Sequence, residues 1–216
     1  MVKPKIYYCF DPFCGWCYAF GETILKVESI FEKDIDIEVM CGGMITGNRI
    51  EPLEKVKDYI LNSIPQVEEK SNVKFGQPFI ELLKDGNYVP NSIPPSIAVQ
   101  VYKSLESNGS LKFAHEIQKS YFLYGEDIKK AHYYTTLASR FDLNPNQFIE
   151  RWQHLDYYKK TEKEFQQVKK LGVQGFPTVI AKMGEQWYLL SRGFVDEKQL
   201  IKVIDQWFYE SKIKQN

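Results

Sequence analysis

Two cysteines stand three positions apart, Cys14 and Cys17, within the stretch DPFCGWCYAF at residues 11–20. A pair so spaced can help hold a metal, lock a short loop, or exchange a disulfide. A structural zinc site needs four ligands, usually as two spaced pairs. Here the remaining cysteines, Cys9 and Cys41, are single, and His115, His132 and His154 are scattered without ligand spacing. The histidines read as surface or hydrogen-bonded core residues, and no metal is expected. A disulfide closing so short a loop removes little entropy from the unfolded chain, which makes it a weak staple.

Redox chemistry is favoured by where the pair sits. Cys14 falls between a strand and a helix start, and Cys17 lies one turn further on. Residues three apart on a helix are near enough for a disulfide. The unpaired N–H groups of a first turn carry about half a positive charge and favour a thiolate at that position. Cys17 belongs to an apolar helix face. The expected division is an exposed nucleophile at Cys14 and a shielded resolving thiol at Cys17.

The elements that position the pair follow from patterning. KIYYCF (residues 5–10) is a β-rich run with little polar alternation, as in a buried parallel strand. Cys17, Phe20, Ile24, Val27 and Phe31 recur at steps of three and four, one face of a helix. IDIEVM (35–40) alternates as a strand and is closed by CGG, whose glycines read as a turn. From about Glu51 to Gly172 the pattern is almost all helical, with predicted starts at Pro52, at the proline pair Pro94–Pro95 and at a Ser110 cap, and a stop at Asn108–Gly109. Strands return at TVIAK (178–182) and QWYLLS (186–191). A last helix carries Leu200, Val203, Ile204, Trp207 and Phe208 on one side. The order is β-α-β, a helical block, then β-β-α. Neither flank has enough strands to fold alone. The expected organisation is therefore a discontinuous domain, residues 1–48 and 173–216, carrying an inserted helical subdomain, residues 49–172.

Bulk properties exclude several classes. The 216 residues hold 28 basic and 28 acidic side chains, with no basic run longer than a pair, so nucleic acid is not an expected partner. No apolar run approaches the roughly 18 residues of a membrane span. The N-terminal apolar stretch, Ile6 to Phe10, is too short for a signal peptide core. The expected location is cytoplasmic, with a trimmed leader as the alternative. At 44% hydrophobic and 15% aromatic residues, a sizeable core is available. Four cysteines in such a chain are catalytic, metal-binding or buried more often than scaffold bridges; Cys9 and Cys41 read as buried strand residues.

A second stretch, GVQGFPTVI at residues 172–180, places Pro177 just before a strand, where a proline belongs. If its peptide bond is cis and lies beside the cysteines, the Phe176 backbone is free to pair with an extended peptide. Taken together, strand, DPFCGWC, helix, strand, helical insertion, GFPT, two strands and a helix resemble the thioredoxin superfamily. More narrowly they are similar to its DsbA-like branch, which includes FrnE-type proteins and predicted disulfide isomerases. The resemblance covers essentially the whole chain. It implies an α/β thioredoxin fold with a large helical insertion, Cys14 as nucleophile, Cys17 as resolving thiol and Pro177 as a cis-proline. Substrate contacts are expected at Phe176 and Gly175, and at Trp16, which reads as a lip beside the cysteines.

Two departures from the family pattern stand out. The dipeptide between the cysteines is Gly15-Trp16, lacking the histidine of the strongly oxidising members, which argues for a milder couple. Tyr8 occupies the position, six before the first cysteine, where many relatives carry a buried carboxylate. Proton transfer to Cys17 then falls to water, Tyr8 or Asp11, with Asp11 read chiefly as ordering the turn.

The resemblance implies a thiol–disulfide oxidoreductase or isomerase acting on protein or peptide disulfides. No bound cofactor is expected, and glutathione or thioredoxin would be the redox partner. One alternative is a glutathione-dependent transferase or isomerase of the kappa-like class, whose usual serine at the first motif position is here Cys14. Another is a non-catalytic, redox-controlled binding module.

Overall fold

The computed structural model describes residues 3–213, with side chains up to residue 210. Strand β1 (Lys5–Phe10) leads through a short turn into α1 (Gly15–Phe31), then to β2 (Asp36–Cys41). After the helical segment come β3 (Thr178–Met183), β4 (Gln186–Arg192) and α9 (Glu197–Ile213). The strands form one sheet in the order β2-β1-β3-β4. β1 runs parallel to β2, with Phe10 opposite Cys41, and antiparallel to β3, with Cys9 opposite Thr178. β1 is thus an inner strand, which accounts for its lack of polar alternation.

Helix α1 covers one face of the sheet, burying the five predicted residues Cys17, Phe20, Ile24, Val27 and Phe31. α9 packs beside it through Leu200, Ile204 and Trp207. Val203, which the sequence pattern puts on that same side, is 37% exposed. The buried seam of α9 runs through Leu200, Ile204 and Trp207 and is narrower than its apolar composition suggests.

The segment between β2 and β3 holds α2 (Lys57–Ser71), α3 (Gln77–Asp85), α4 (Ile93–Leu105), α5 (Ser110–Phe122), α6 (Ala131–Arg140), α7 (Pro145–Gln153) and α8 (Leu155–Lys170). Several predicted helix boundaries move. Pro52 precedes a 3-10 turn at Leu53–Lys55, and α2 begins only at Lys57, with Pro65 inside it. The residue before α5 is Gly109, at φ +80°, and not a serine cap; Ser110 is its first helical residue. Asn108–Gly109 therefore leads into α5, whereas α4 stops at Leu105.

α8 approaches the second face of the sheet, where Val168 joins Cys9, Met40 and Ile180 in an apolar cluster. The edge of β2 is closed by a part-buried ion pair from two helices. Lys103 Nζ on α4 donates to Val39 O (3.0 Å), and Glu164 on α8 accepts from Cys41 N (2.8 Å). The two side chains meet at 2.6 Å. Among the described residues no helix is long and apolar enough to cross a membrane. The outermost residues of the expected discontinuous domain, 1–2 and 214–216, lie outside the described residues.

Candidate redox site

Cys14 is the cap residue of α1, with an extended backbone (φ −88°, ψ 113°) just before the helix begins. Its N–H donates to Asp11 O (3.1 Å), and its carbonyl accepts from the N–H groups of Cys17 and Tyr18 (both 3.0 Å). The thiol is therefore carried at the positive end of a long helix whose first turn contains no acidic side chain. Cys17 lies one turn in, fully buried and within hydrogen-bonding reach of Cys14; both are free thiols. Burial pushes the Cys17 thiol well above its ordinary pKa. The neighbouring Cys14 adds to the rise, while the Asp11 backbone and the Tyr8 hydroxyl oppose it. The asymmetry expected between the two cysteines is present in burial, but in a shallower form. Cys14 is only 8% exposed, where an open thiol was expected.

Backbone lies against Cys14, and aromatic rings pack on its chain neighbours Phe13 and Gly15. Cys14 Sγ faces Phe176 O at 3.5 Å. The Phe75 ring, on the α2–α3 connection, passes 3.5 Å from where a Cβ on Gly15 would stand. Phe13 lies edge-on to Tyr121 of α5, with centroids 4.8 Å apart. The Phe176–Pro177 bond is cis, so the fold brings Cys14, Cys17, Phe176 and Pro177 together as the sequence suggested. Gly193 N donates to Pro177 O (2.8 Å) and Thr178 Oγ1 to Gly175 O (2.7 Å), fixing this segment at the start of β3. Nothing lies within 4 Å of where a Gly175 side chain would begin. Among the described residues, the Phe176 N–H donates to no other backbone carbonyl.

Trp16 is half-buried. Its indole packs 5.8 Å from the Phe194 ring, and Lys70 of α2 stands 6.0 Å over its face. It bridges the β4–α9 connection and the helical segment, leaving only part of the ring as a lip. Tyr8 places its hydroxyl against Cys17 and donates to Cys17 O at 3.2 Å. Burial holds that phenol well above its ordinary pKa, so it stays protonated.

Asp11 is fully buried, and both carboxylate oxygens are engaged. Phe13 N (3.0 Å) and Ser92 Oγ (2.9 Å) donate to Oδ1, and Met44 N (2.6 Å) donates to Oδ2. Gln118 Nε2 of α5 donates to its backbone carbonyl at 3.1 Å. Ser92 also exchanges bonds with Ile45 through backbone and hydroxyl. Asp11 thus ties the cysteine turn to the loop after β2 and to the start of α4. Burial raises its pKa to about 6, against the opposing pull of these donors.

Ser92, Met44 and Gln118 were not singled out in the sequence. Ser92 had a visible signal, a serine preceding a proline-initiated helix, but nothing to link it to Asp11. His115 is buried with Nε2 3.2 Å from Glu22 and Nδ1 without a partner, so it is only half satisfied. Cys9 and Cys41 are buried on opposite faces of the sheet, in separate apolar clusters. No cluster of metal-ligating side chains occurs among the described residues.

A four-stranded sheet with a cysteine pair at the N-terminal end of α1, facing a cis-proline loop, defines the class of thioredoxin-fold proteins with a helical insertion. The chain matches the family model described as Thioredoxin over residues 7–186, and it belongs to that family. No curated protein sequence matches it. Among solved structures it is similar to a candidate protein disulfide isomerase from Nitrosomonas europaea (22% identity, 97% of this chain and 99% of the other, TM-score 0.86). It is also similar to the cytosolic disulfide reductase DsbM from Pseudomonas aeruginosa (21% identity, 98% and 100% covered, TM-score 0.78), which has also been solved with GSH. The oxidoreductase NmDsbA1 from N. meningitidis shares the fold at 10% identity, over 99% and 86% of the chains, with TM-score 0.59. The fold is thus DsbA-like and is shared with thiol–disulfide oxidoreductases.

Proposed function

We propose that this protein is a thiol–disulfide oxidoreductase of the cytoplasm, acting on protein or peptide disulfides through Cys14 and Cys17. The observation that carries the reading is the placement of Cys14 at the positive end of α1, beside a fully buried Cys17 and opposite Phe176 O. In the reducing direction the Cys14 thiolate attacks a substrate disulfide, releasing one substrate thiolate and forming a mixed disulfide. Cys17 then attacks Cys14 Sγ and releases the second thiolate, so two electrons pass to the substrate. The Cys17 proton leaves by way of the Tyr8 hydroxyl or water, and Asp11 holds the turn. The Phe176 N–H offers backbone for an extended peptide, which would lie against Gly175 and the cis-proline Pro177 with Trp16 and Phe194 at its side.

Glutathione is the proposed recycling thiol. The similar fold of DsbM, which has been solved with GSH, supports this choice. The test is insulin reduction and scrambled-protein refolding with glutathione. Cys14→Ser should abolish both activities. Cys17→Ser should retain the first attack and accumulate a mixed disulfide visible by intact mass. Equal activity in wild type and Cys14→Ser sinks the reading.

A further inference from the structure

The two glycines that close β2, Gly42 and Gly43, form more than a turn. A Cβ on Gly42 would fall 1.9 Å from Cζ and 2.1 Å from Cε1 of Phe176. The Phe176 ring therefore lies directly on the bare Cα of Gly42, at a distance no other residue permits. Gly43, at φ +66°, presents the same flat surface to Phe165 of α8, whose ring would be 2.7 Å from its Cβ. Gly42 itself is fixed, because its N–H extends the β1–β2 ladder to Phe10 O at 2.8 Å. The Phe176 ring packs against both apolar clusters of the protein, one on each side of the sheet. The ring helps to hold this residue alongside the hydrogen bonds at Gly175 and Pro177, and the Phe176 carbonyl faces Cys14 Sγ at 3.5 Å.

We propose that Gly42 is a positioning residue for the redox pair: its missing side chain seats Phe176 so that the Phe176 carbonyl accepts from the Cys14 thiol. The consequence for exchange rests on the thiol–disulfide reading above. In the dithiol, Cys14 S–H donates to this carbonyl. In the disulfide Cys14 carries no proton and the bond is lost, so the contact weights the couple toward the dithiol. The balanced reaction is protein dithiol plus glutathione disulfide giving protein disulfide plus two glutathione thiols. The two thiol protons end on glutathione and the two electrons leave the protein.

Gly42→Ala is the direct test. The atoms it strikes are the far end of a side chain, so the ring can move without breaking the strand. A thiol is a weak donor, so the bond belongs at the lower end of the roughly 0.5–1.5 kcal/mol net of a hydrogen bond, or about twofold in an equilibrium constant. The equilibrium with glutathione should shift toward the protein disulfide by about that factor. Iodoacetamide should also alkylate Cys14, read by peptide mass, several-fold faster. Phe176→Leu removes the colliding atoms and should itself speed alkylation by emptying the seat. In that background Gly42→Ala should add no further change, which is the signature of a shared contact in a double-mutant cycle.

Unchanged alkylation in a folded Gly42→Ala protein overturns the proposal. So does an equal effect of Gly42→Ala in both backgrounds, or a Phe176→Leu protein whose Cys14 reacts at the wild-type rate. A wild type that does not exchange with glutathione counts against the functional reading alone, because alkylation rates decide the role of Gly42 in either case.

Discussion

Asp11 is a carboxylate set where water does not reach it, three residues before the thiol that opens α1. Its folded-state pKa of about 6 lies above the ~3.9 of an exposed aspartate. Between those values the native protein keeps a proton that the unfolded chain has lost. Stability from the neutral carboxyl is therefore full below about pH 4 and declines as pH rises through about 6. Two pKa units correspond to on the order of 3 kcal/mol. Asp11→Asn removes this titration, so the difference in unfolding free energy between wild type and variant should change by about that much between about pH 4 and pH 7, with the wild type losing ground as pH rises. Urea denaturation at both pH values checks it, and parallel pH profiles for the two proteins would refute the assignment. The role of Asp11 in ordering the turn was legible from its place before CGWC. Its partners Met44, Ser92 and Gln118 were not, because hydrogen bonds between residues so far apart leave no local pattern.

The ion pair Lys103–Glu164 belongs to the scale of elements, since it fastens α4 and α8 to the open edge of β2. An edge strand with unpaired N–H and C=O groups invites pairing with another chain, and proteins cover or charge such edges. Here Val39 O and Cys41 N are taken by Lys103 and Glu164, which also hold each other at 2.6 Å. Removing one member leaves the other buried and uncompensated, which typically costs about 3–5 kcal/mol. Lys103→Met should therefore destabilise by roughly 3 kcal/mol in a denaturant titration. Lys103→Met with Glu164→Leu should lose distinctly less, as no stranded charge remains. A double variant as unstable as the single one would show that packing, and not charge, holds this corner. The elements themselves were readable where one periodicity runs unbroken, as along α1. Boundaries were less so: a proline at position 52 suits a 3-10 turn as well as a first helical turn, and the left-handed Gly109 takes the cap position expected of a serine, without a side-chain cap bond. The seat that Gly42 offers Phe176 was invisible too, because two glycines after a strand look the same whether they turn or make room.

At the scale of the whole molecule, the helical segment interrupts the sheet in sequence but not in packing. One apolar cluster runs from β1 and α1 through α4, α5 and α6 to α9. Its aromatic contacts cross between the sheet-bearing flanks and the helices repeatedly. Phe13 meets Tyr121 at 4.8 Å, Tyr18 stacks on Phe122 at 5.2 Å, and Tyr18 meets Phe75 edge-on at 5.4 Å. Such pairs add about 0.5–1.5 kcal/mol each beyond the area they bury. The Asp11 and Lys103–Glu164 hydrogen bonds span the same boundary. The core of a helical segment held this way is continuous with that of the sheet, and the two should unfold together. The tryptophans provide the probes. Trp152 sits in α7 and donates to Pro94 O of α4 (2.9 Å), whereas Trp207 is buried on α9 beside Tyr188 of β4. Variants keeping only Trp152 or only Trp207, followed by fluorescence in urea, should give superimposable transitions that also match far-UV circular dichroism. Residues 49–172 expressed alone should show no cooperative transition. A Trp152 midpoint clearly separated from that of Trp207, or a cooperative melt of the isolated helical segment, would instead make it an independent domain that carries Phe75 and Tyr121 to the site.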